Sequence, residues 1–483
     1  MSLSSSQYLL FLPIVAILLL IIPVNLRSIY LLLASYVFYS FWSTKHLMLL
    51  IGVTVGTYVV ALVMDRLTTA RSKRLVLSLG IGAIIFILGF YKFVGVQKGG
   101  SHYSFKTYSQ TLLDLAIPLG LSFFCFQAMS YLFDVCRGRL KAESKFTDLA
   151  LFIAFFPQLV AGPIECATNL LPQLKAKINI DYENLKFNLM RIACGLFKKI
   201  VLADSVHIFV TNVFSSADYY YGAPFLLAVF WARYGLFLDL SAYTDIAIGS
   251  AGVFGIRLTE NFRHPFFATS PTDFWRRFHR SLVIWFSNYL FLPLCRIFTS
   301  VTSIKINLMI TFFVVGLWHV GDVWHIVWAA GHGALYLVEY SLRGFGGRFF
   351  RALKVPNRSP IETLIKILVA QIILCIPAFV SQLGRVSSYV SIDKMWSLSV
   401  ADFINFSALK SYVGLHQSAV HIVGVLFFIF CLEGLHYIET KKPLRTWWQE
   451  LPLAAKIALV VGFATSFFVF GSFNETVFVY YQY

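Results

Sequence analysis

The fold class that the sequence predicts is an all-α, polytopic membrane protein of roughly a dozen segments. Of its 483 residues, 58% are hydrophobic and only 13% are charged, whereas a soluble globular chain carries about 25% charged residues. Apolar runs close to the ~20 residues that a helix needs to cross a bilayer recur along the whole length. These runs are too long and too continuous for the strands of a membrane β-barrel, so helices are the expected spanning elements.

The apolar runs follow one another from one end of the chain to the other. In order they are 8–24, 29–43, 47–64, 76–96, 111–135, 148–164, 189–215, 222–256, 281–299, 306–340, 362–382, 418–437 and 453–473. We expect 222–256 to make two passes and 306–340 to form two short helices. The first run lacks a basic flank and a cleavage site, so it is predicted to be a span rather than a signal peptide. No internal repeat or flexible linker is seen, and residues 1–483 are predicted to form a single membrane-embedded domain.

The net charge of +17 has a topological explanation. Lys and Arg concentrate in short cytoplasmic loops of membrane proteins, so the charge indicates a lipid bilayer as partner and no nucleic acid. The basic loops are 65–74, 136–145, 257–280, 342–358 and 441–445. Counting spans from these loops places 97–110, 383–417 and the tail 473–483 on the outer face.

The seven cysteines are scattered and form no CxxC pair, which indicates neither a zinc site nor a disulfide framework.

Ionisable residues inside apolar segments are expensive and mark candidate functional positions. Asp239 and Asp245 are six residues apart, so on one helix they point well away from each other. Each is therefore predicted to make its own buried bond, to an Arg or a backbone group, rather than a carboxylate pair. Arg276 and Arg277 adjoin Trp275, and such a basic, aromatic face suits either phosphate headgroups or a nucleotide-bearing donor such as coenzyme A. The polar clusters fall at 195–204, 233–249, 261–282 and 316–333.

The segment 316–333 carries three histidines, at positions 319, 325 and 332. On a continuous helix His319 and His332 would lie about 140° apart. Gly321 and Asp322 predict a break, since Gly is a poor helix former and Asp is a good cap for a helix starting at Val323. Two histidines could then face one cavity and act in general-base chemistry. Their spacing lacks the i, i+4 pattern typical of zinc sites, so no metal is predicted.

Seven stretches of the chain resemble those of the membrane-bound O-acyltransferase (MBOAT) family, especially its alginate and peptidoglycan O-acetyltransferases. The most specific are FLDLSAYTDIAIG (237–249), ENFRHPFFATSPTDFWRRFHRSL (260–282) and GLWHVGDVWHIVWAAGHG (316–333). The resemblance implies the family fold, with roughly 11–13 transmembrane or re-entrant helices around a central tunnel. The other stretches lie at 30–42, 117–138, 155–164 and 195–204.

The resemblance also implies a function and a set of residues. His319 and His332 match the family's WH…HG histidines and are the predicted catalytic pair, whereas His325 matches no family position. The implied activity is O-acylation, by acetyl in particular, of an extracytoplasmic polysaccharide from a cytoplasmic thioester, in a bacterial inner membrane. The predicted supporting or donor-binding residues are Asp239, Tyr243, Asp245, Asn261, Trp275, Arg276, Arg277, His279, Trp318 and Trp328.

The same resemblance implies the partners. The donor substrate is acetyl-coenzyme A or another acyl thioester, with no permanently bound cofactor. The predicted partners are the polysaccharide acceptor, an extracytoplasmic SGNH-type acyltransferase and an acyl carrier protein. D-alanyl transfer to teichoic acid, a proton-coupled transporter or flippase, and a pure scaffold are the alternatives left open.

The tail ends in FVYYQY, residues 478–483, which is similar to an F-x-Y-x-x-F motif of some family members and their partners. There the central tyrosine is proposed to carry the acyl group, which assigns that role to Tyr480, with Tyr483 in place of the last Phe. An aromatic anchor at the membrane interface is the alternative explanation. Eight extended residues beyond Ser472 span roughly 26 Å, nearly the ~30 Å hydrocarbon core, so Tyr480 could reach a buried base.

Overall fold

The predicted all-α class is confirmed by the computed structural model, which describes residues 1–94, 117–176, 181–216, 223–319, 323–342, 359–386 and 418–472. Every regular element within these ranges is helical. The α-helices are α1 (Ser6–Ile21), α2 (Arg27–Ser40), α3 (Thr44–Arg66), α4 (Ala70–Gly89), α5 (Leu121–Cys136), α6 (Phe146–Ala154), α7 (Phe156–Leu159), α8 (Ala167–Lys175), α9 (Tyr182–Phe197), α10 (Asp204–Ser215), α11 (Ala223–Val253), α12 (Pro271–Arg277), α13 (Arg280–Phe286), α14 (Leu292–Ile297), α15 (Val301–His319), α16 (Val323–Ser341), α17 (Pro360–Val386), α18 (Ala419–Lys441), α19 (Leu444–Glu450) and α20 (Leu453–Phe470).

Seven of the described helices are long and apolar enough to cross a membrane. They are α3, α4 with its extension to Lys92, α11, α15, α17, α18 and α20, and the apolar helices α1 and α5 are shorter. Large apolar side chains cover the outside of the peripheral helices; Phe430 on α18 is 76% exposed and Phe468 on α20 is 84% exposed. Apolar faces of this extent are typical of surfaces that contact lipid, which agrees with a polytopic membrane protein.

The run at 222–256 forms one helix, α11, of 31 residues, so the expectation of two passes was wrong. At about 1.5 Å per residue such a helix is roughly 46 Å long, enough to cross the bilayer with tilt. The polar residues within it do not interrupt the helix. Asp239 and Asp245 are satisfied by cations from neighbouring segments, so the helix continues past both carboxylates.

The helices α9 and α11 approach each other closely at glycines. A Cβ atom at Gly195 would lie 2.8 Å from the backbone oxygen of Ala242, and one at Gly249 would lie 2.8 Å from that of Asn188. Small residues let membrane helices pack backbone against backbone, which gives the van der Waals contact that replaces a hydrophobic driving force in lipid. This contact fixes α11 against the segment that follows α9.

Three short π-helical segments extend neighbouring helices: Phe90–Val94 after α4, Lys198–Ala203 between α9 and α10, and Ser287–Phe291 between α13 and α14. π-bulges are rare and frequently occur at functional sites. The first two carry buried lysines, Lys92 and Lys199, that are 6% and 3% exposed. Both lysines contact elements that surround the cavity described below.

The segment with three histidines forms a helical hairpin. α15 ends at His319 and α16 begins at Val323, as the sequence predicts, while the cap assigned to Asp322 lies outside the described residues. The hairpin is backed by α5 and α13, because Phe126 stacks on Trp285 at a centroid distance of 4.3 Å and lies 5.3 Å from Trp318. The indole nitrogen of Trp285 also donates to the backbone oxygen of Phe126, at 2.9 Å.

Candidate active site

A cavity of about 130 Å³ lies among α10, α11, α17, the loop that carries α12, and the α15–α16 hairpin. This volume is enough for several water molecules or a short acyl chain. Its wall is mostly apolar but contains a concentration of ionisable side chains, which is typical of a ligand site. Those side chains are Lys199, Asp204, His207, Arg233, Asp239, His279, His319, His325 and His332.

His319 is the last residue of α15, and its half-buried ring lines the cavity. The ring centroid lies 4.6 Å from that of Trp318 and 5.1 Å from that of Trp328. Within the described part of the chain, the imidazole nitrogens of His319 make no hydrogen bond. The ring therefore packs against two aromatic side chains, while its nitrogens have no hydrogen-bond partner among the described residues.

Trp328 lies between the two predicted catalytic histidines. Its ring centroid is 5.1 Å from His332 as well as from His319, and it meets both rings nearly edge-on, at 76° and 86°. His332 also lines the cavity, so the hairpin brings both histidines to one space. No hydrogen bond joins them among the described residues, and His332 therefore does not orient His319 directly.

His325 and His279 complete a set of imidazoles around the cavity. The His325 ring is nearly parallel to that of His319, at 23°, with centroids 6.2 Å apart. The family resemblance gave His325 no role. His279 is 6% exposed and has a positive φ of 46°, a backbone conformation that costs free energy and is concentrated at functional sites.

Two indole nitrogens and one imidazole nitrogen beside the cavity are buried without a hydrogen-bond partner among the described residues. They are Trp275 Nε1, Trp318 Nε1 and His332 Nδ1. Trp275 and His332 lie edge to face, with centroids 5.1 Å apart. Because a buried polar group normally has a partner, Trp275 Nε1 and His332 Nδ1, whose residues line the cavity, are candidates for contacts with a bound substrate.

Lys92 supports the hairpin and was missed by the sequence interpretation. Its Nζ donates to the backbone oxygens of Trp318 and, at 2.8 Å, of His319. The same ammonium lies 4.9 Å from the centroid of the Trp318 ring. Carbonyl groups at a helix C-terminus lack intrahelical donors, and a cation there also interacts favourably with the helix dipole. A lone lysine near the end of an apolar run, in YKF (91–93), was the available signal.

A buried ion-pair network joins the sequence stretch 195–204 to α11. Lys199 Nζ lies 2.8 Å from carboxylate oxygens of both Asp204 and Asp239. One residue earlier, Lys198 pairs with Asp245. Asp239 and Asp245 thus make separate bonds, as predicted, although their partners include lysines as well as an arginine. Lys199 and both of its carboxylates line the cavity.

Arg191 extends this network to the loop that follows α11. Its guanidinium binds Asp245 at 2.9 Å and makes a bidentate pair with Glu260, with both N–O distances 2.6 Å. The adjacent Asn261 closes the loop, because its side-chain oxygen accepts from the backbone nitrogen of Ser281 at 3.0 Å. These contacts hold the stretch 261–282 against the cavity.

The predicted supporting residues separate into two groups. Asp239, Trp275, His279 and Trp328 line the cavity with the two histidines. The others do not line it: Arg276 is exposed, Arg277 pairs with Asp273 at 2.8 Å, and Tyr243 is buried in the core. Asp245, Asn261 and Trp318 stabilise neighbouring elements, as described above. Tyr480 lies outside the described residues.

Comparison with known proteins assigns the family. A model described as the membrane-bound O-acyltransferase family matches residues 137–376. The chain is also 33% identical over 345 residues to a probable alginate O-acetylase of Pseudomonas putida, an alignment that covers 70% of each protein. The chain belongs to the membrane-bound O-acyltransferase family.

Two further relatives agree with this assignment. The chain is 34% identical over 332 residues to a peptidoglycan O-acetyltransferase of Helicobacter pylori, covering 63% of each protein, so just under two thirds of that relative is spanned. It is 27% identical over 226 residues to a teichoic acid D-alanyltransferase of Bacillus subtilis, covering 45% of this chain and 57% of the relative. The predicted resemblance and the class of O-acyltransferase are confirmed.

The region matched by the family model contains nearly the whole site of this membrane-bound O-acyltransferase. Every predicted site residue except Tyr480 lies within 137–376. Lys92 lies before the matched region, and its contact with the α15–α16 hairpin depends on tertiary packing.

Proposed function

We propose that this membrane-bound O-acyltransferase moves an acyl group, specifically acetyl, from a cytoplasmic thioester donor for O-acylation of an extracytoplasmic polysaccharide, in a bacterial inner membrane. The observation that carries the proposal is the position of His319. Its ring lines the cavity, is fixed by two tryptophans and has no hydrogen-bond partner among the described residues. Such a ring can accept a proton from a substrate hydroxyl.

In the proposed reaction His319 is the general base. The acceptor oxygen attacks the carbonyl carbon of the thioester as its proton passes to the imidazole, and a new C–O bond forms. The C–S bond then breaks, and the thiolate takes the proton back from the imidazolium, so the products are an O-ester and a free thiol. A phenol or sugar hydroxyl is too weak an acid to ionise beforehand, so proton removal and attack occur together.

The same geometry offers groups that could stabilise the oxyanion. Trp275 Nε1 is a buried donor without a partner among the described residues, and His332 Nδ1 is a second one in the tautomer that carries its proton there. The two rings lie 5.1 Å apart beside the cavity. Donors of this kind stabilise negative charge on the former carbonyl oxygen in a site with little water. We assign His332 this role, because Trp328 separates it from His319.

Two contacts, one on each side of α20, support the proposed arrangement with the donor on the cytoplasmic face and the acceptor on the outer face. Arg445, in the basic stretch expected inside, donates to Asn184 near the start of α9, at 3.4 Å. At the other ends of these helices, the backbone nitrogen of Ser472 donates to the backbone oxygen of Ile200, at 3.0 Å. Ser472 therefore contacts the residue that follows Lys199, and Lys199 lines the cavity. In the proposed pathway Tyr480 carries the acyl group from there to an outer SGNH-type acyltransferase.

The likeness to the Bacillus subtilis D-alanyltransferase favours one second candidate, D-alanyl transfer from an acyl carrier protein. It uses the same base and the same thioester chemistry. A transporter or a pure scaffold has no such support, because the named relatives are all transferases.

The test compares His319→Gln with His325→Gln in membranes that receive labelled acetyl-coenzyme A. We expect His319→Gln to abolish labelling of protein and polymer, whereas His325→Gln, which removes the neighbouring imidazole, retains it. Labelled D-alanyl carrier protein provides the second arm. Normal acetyl transfer by His319→Gln would refute the proposed base, and labelling by D-alanine alone would select the second candidate.

A further inference from the structure

Arg233 is a cation in the cavity wall whose described partners are all neutral. Its guanidinium donates to the side-chain oxygen of Gln371 at 2.5 Å, to the backbone oxygen of Gln371 at 3.3 Å and to Cys375 Sγ at 3.6 Å. Its central carbon lies 5.1 and 5.2 Å from the ring centroids of Phe266 and Phe274. Within the described residues it forms no ion pair.

The other cations of this region are matched by carboxylates. Lys199 lies between Asp204 and Asp239, and Arg191 between Asp245 and Glu260. An arginine stays charged under all physiological conditions, and a buried charge without a counter-ion is costly. Arg233 therefore has no counter-ion in direct contact among the described residues, and an anionic group of a ligand would supply one.

The surroundings of Arg233 favour a small monoanion. The cavity is about 130 Å³, and its wall includes Trp275 as well as Phe266 and Phe274, whose rings lie against Arg233. One guanidinium balances the single charge of a carboxylate, and its planar fork matches the planar carboxylate in a bidentate pair. Trp275 Nε1, buried without a partner among the described residues, offers a further donor nearby.

We propose that Arg233 binds a carboxylate carried by one of the two substrates of the acyl transfer. The inference rests on the proposed function, because it assigns a substrate class to the same cavity. The carboxylate has two possible sources: the free end of a dicarboxylic acyl group, which would then take the place of acetyl as the transferred group, or an acidic sugar of the acceptor. In both cases Arg233 selects the substrate, while His319 performs the proton transfer.

The experiment measures binding to the purified full-length chain by the shift in its thermal unfolding temperature, since a ligand of the folded state stabilises it. Two matched pairs of probes differ only by a carboxylate. Succinyl-coenzyme A is compared with butyryl-coenzyme A, and methyl glucuronide with methyl glucoside. The variants are Arg233→Gln and Arg233→Lys, and the control is Arg296→Gln, which removes an exposed cation outside the cavity.

We expect the wild type to bind the charged member of one pair more tightly than the neutral member. Arg233→Gln should weaken the charged probe about 10- to 100-fold, the loss typical of a charge-assisted hydrogen bond, and change the neutral probe less than about twofold. Arg233→Lys keeps the charge but lacks the planar pair of donors. Its affinity for the charged probe should lie between those of the wild type and Arg233→Gln. The pair that responds identifies the source of the carboxylate.

Three outcomes would overturn the proposal. One is equal binding of charged and neutral probes in both pairs. Another is an equal loss of both members in Arg233→Gln, which would make Arg233 a structural bracket between α11 and Gln371. If Arg233→Gln weakens binding of both coenzyme A thioesters but of neither glycoside, the arginine would instead bind a phosphate group of coenzyme A. Because binding is measured without turnover, an absence of acyl transfer would count against the proposed function and leave a carboxylate preference standing.

Discussion

Lys92 Nζ lies 2.8 Å from the backbone oxygen of His319, at the residue where α15 ends. The ammonium also binds the backbone oxygen of Trp318 and faces its ring. The proposed base thus occupies a helix C-terminus whose last carbonyls are held by a cation from another helix. This contact fixes the backbone from which the imidazole projects.

Replacing Lys92 by Met should lower kcat about 10- to 100-fold with little change in KM, because a displacement of about 1 Å in a catalytic group has effects of that size. Lys92→Arg should restore part of the rate, since it can still donate to the carbonyls. Lys73→Met, near the start of the same helix, serves as the control. A parallel fall of rate and unfolding temperature in Lys92→Met, with no rescue by Arg, would indicate a purely structural lysine.

We expect the buried ion pairs of Lys199 to contribute more to the free energy of unfolding than an ion pair at the surface does. Lys199→Met leaves Asp204 and Asp239, which are 3% and 1% exposed, without their shared cation, and breaking a buried pair costs about 3–5 kcal/mol. Lys175→Met is the matched control, because Lys175 pairs with Glu143 at the surface and exposed pairs contribute about 0–1 kcal/mol. Thermal unfolding in detergent measures both variants. Equal stability of the two would contradict the importance of the buried network.

The close contact of α9 with α11 predicts opposite effects at two helical glycines. Gly195→Ala places a Cβ 2.8 Å from the backbone oxygen of Ala242, and overpacking of this kind costs about 1–3 kcal/mol. Gly56→Ala on α3 meets nothing within 4 Å and should stabilise the helix by about 0.5–1 kcal/mol. Unfolding temperatures should therefore move in opposite directions. An unchanged unfolding temperature in Gly195→Ala would show that α9 and α11 can move apart at little cost in free energy.

The carrier role of Tyr480 can be tested by single hydroxyl deletions. Tyr480→Phe should abolish transfer of label to the outer acceptor while leaving thioester binding intact, because no oxygen remains to form the acyl ester. Tyr481→Phe, one residue further on, removes the same hydroxyl from a neighbour and should keep activity. The measurement is label on the chain and on the acceptor. Equal transfer by both variants would favour the interfacial anchor instead.

The sequence by itself determined the helical class, most helix positions and the family. Long apolar runs leave the backbone in lipid no alternative to internal hydrogen bonds, so composition alone predicts helices. It also determined the break after His319, since Gly321 and Asp322 disfavour a continuous helix. It failed for 222–256, where two passes were expected and one continuous helix is found. Lys198 and Lys199, from another segment, pair with the carboxylates of this helix.

Only the tertiary structure decided which groups meet. Lys92 binds His319 across 227 residues of sequence, Trp328 separates His319 from His332, and Arg233 is left with neutral partners among the described residues. Periodicity gives the face of a residue on its own helix, but not the side chains that other helices bring to that face. Charge neutralisation depends on distances between helices, and helix packing sets those distances.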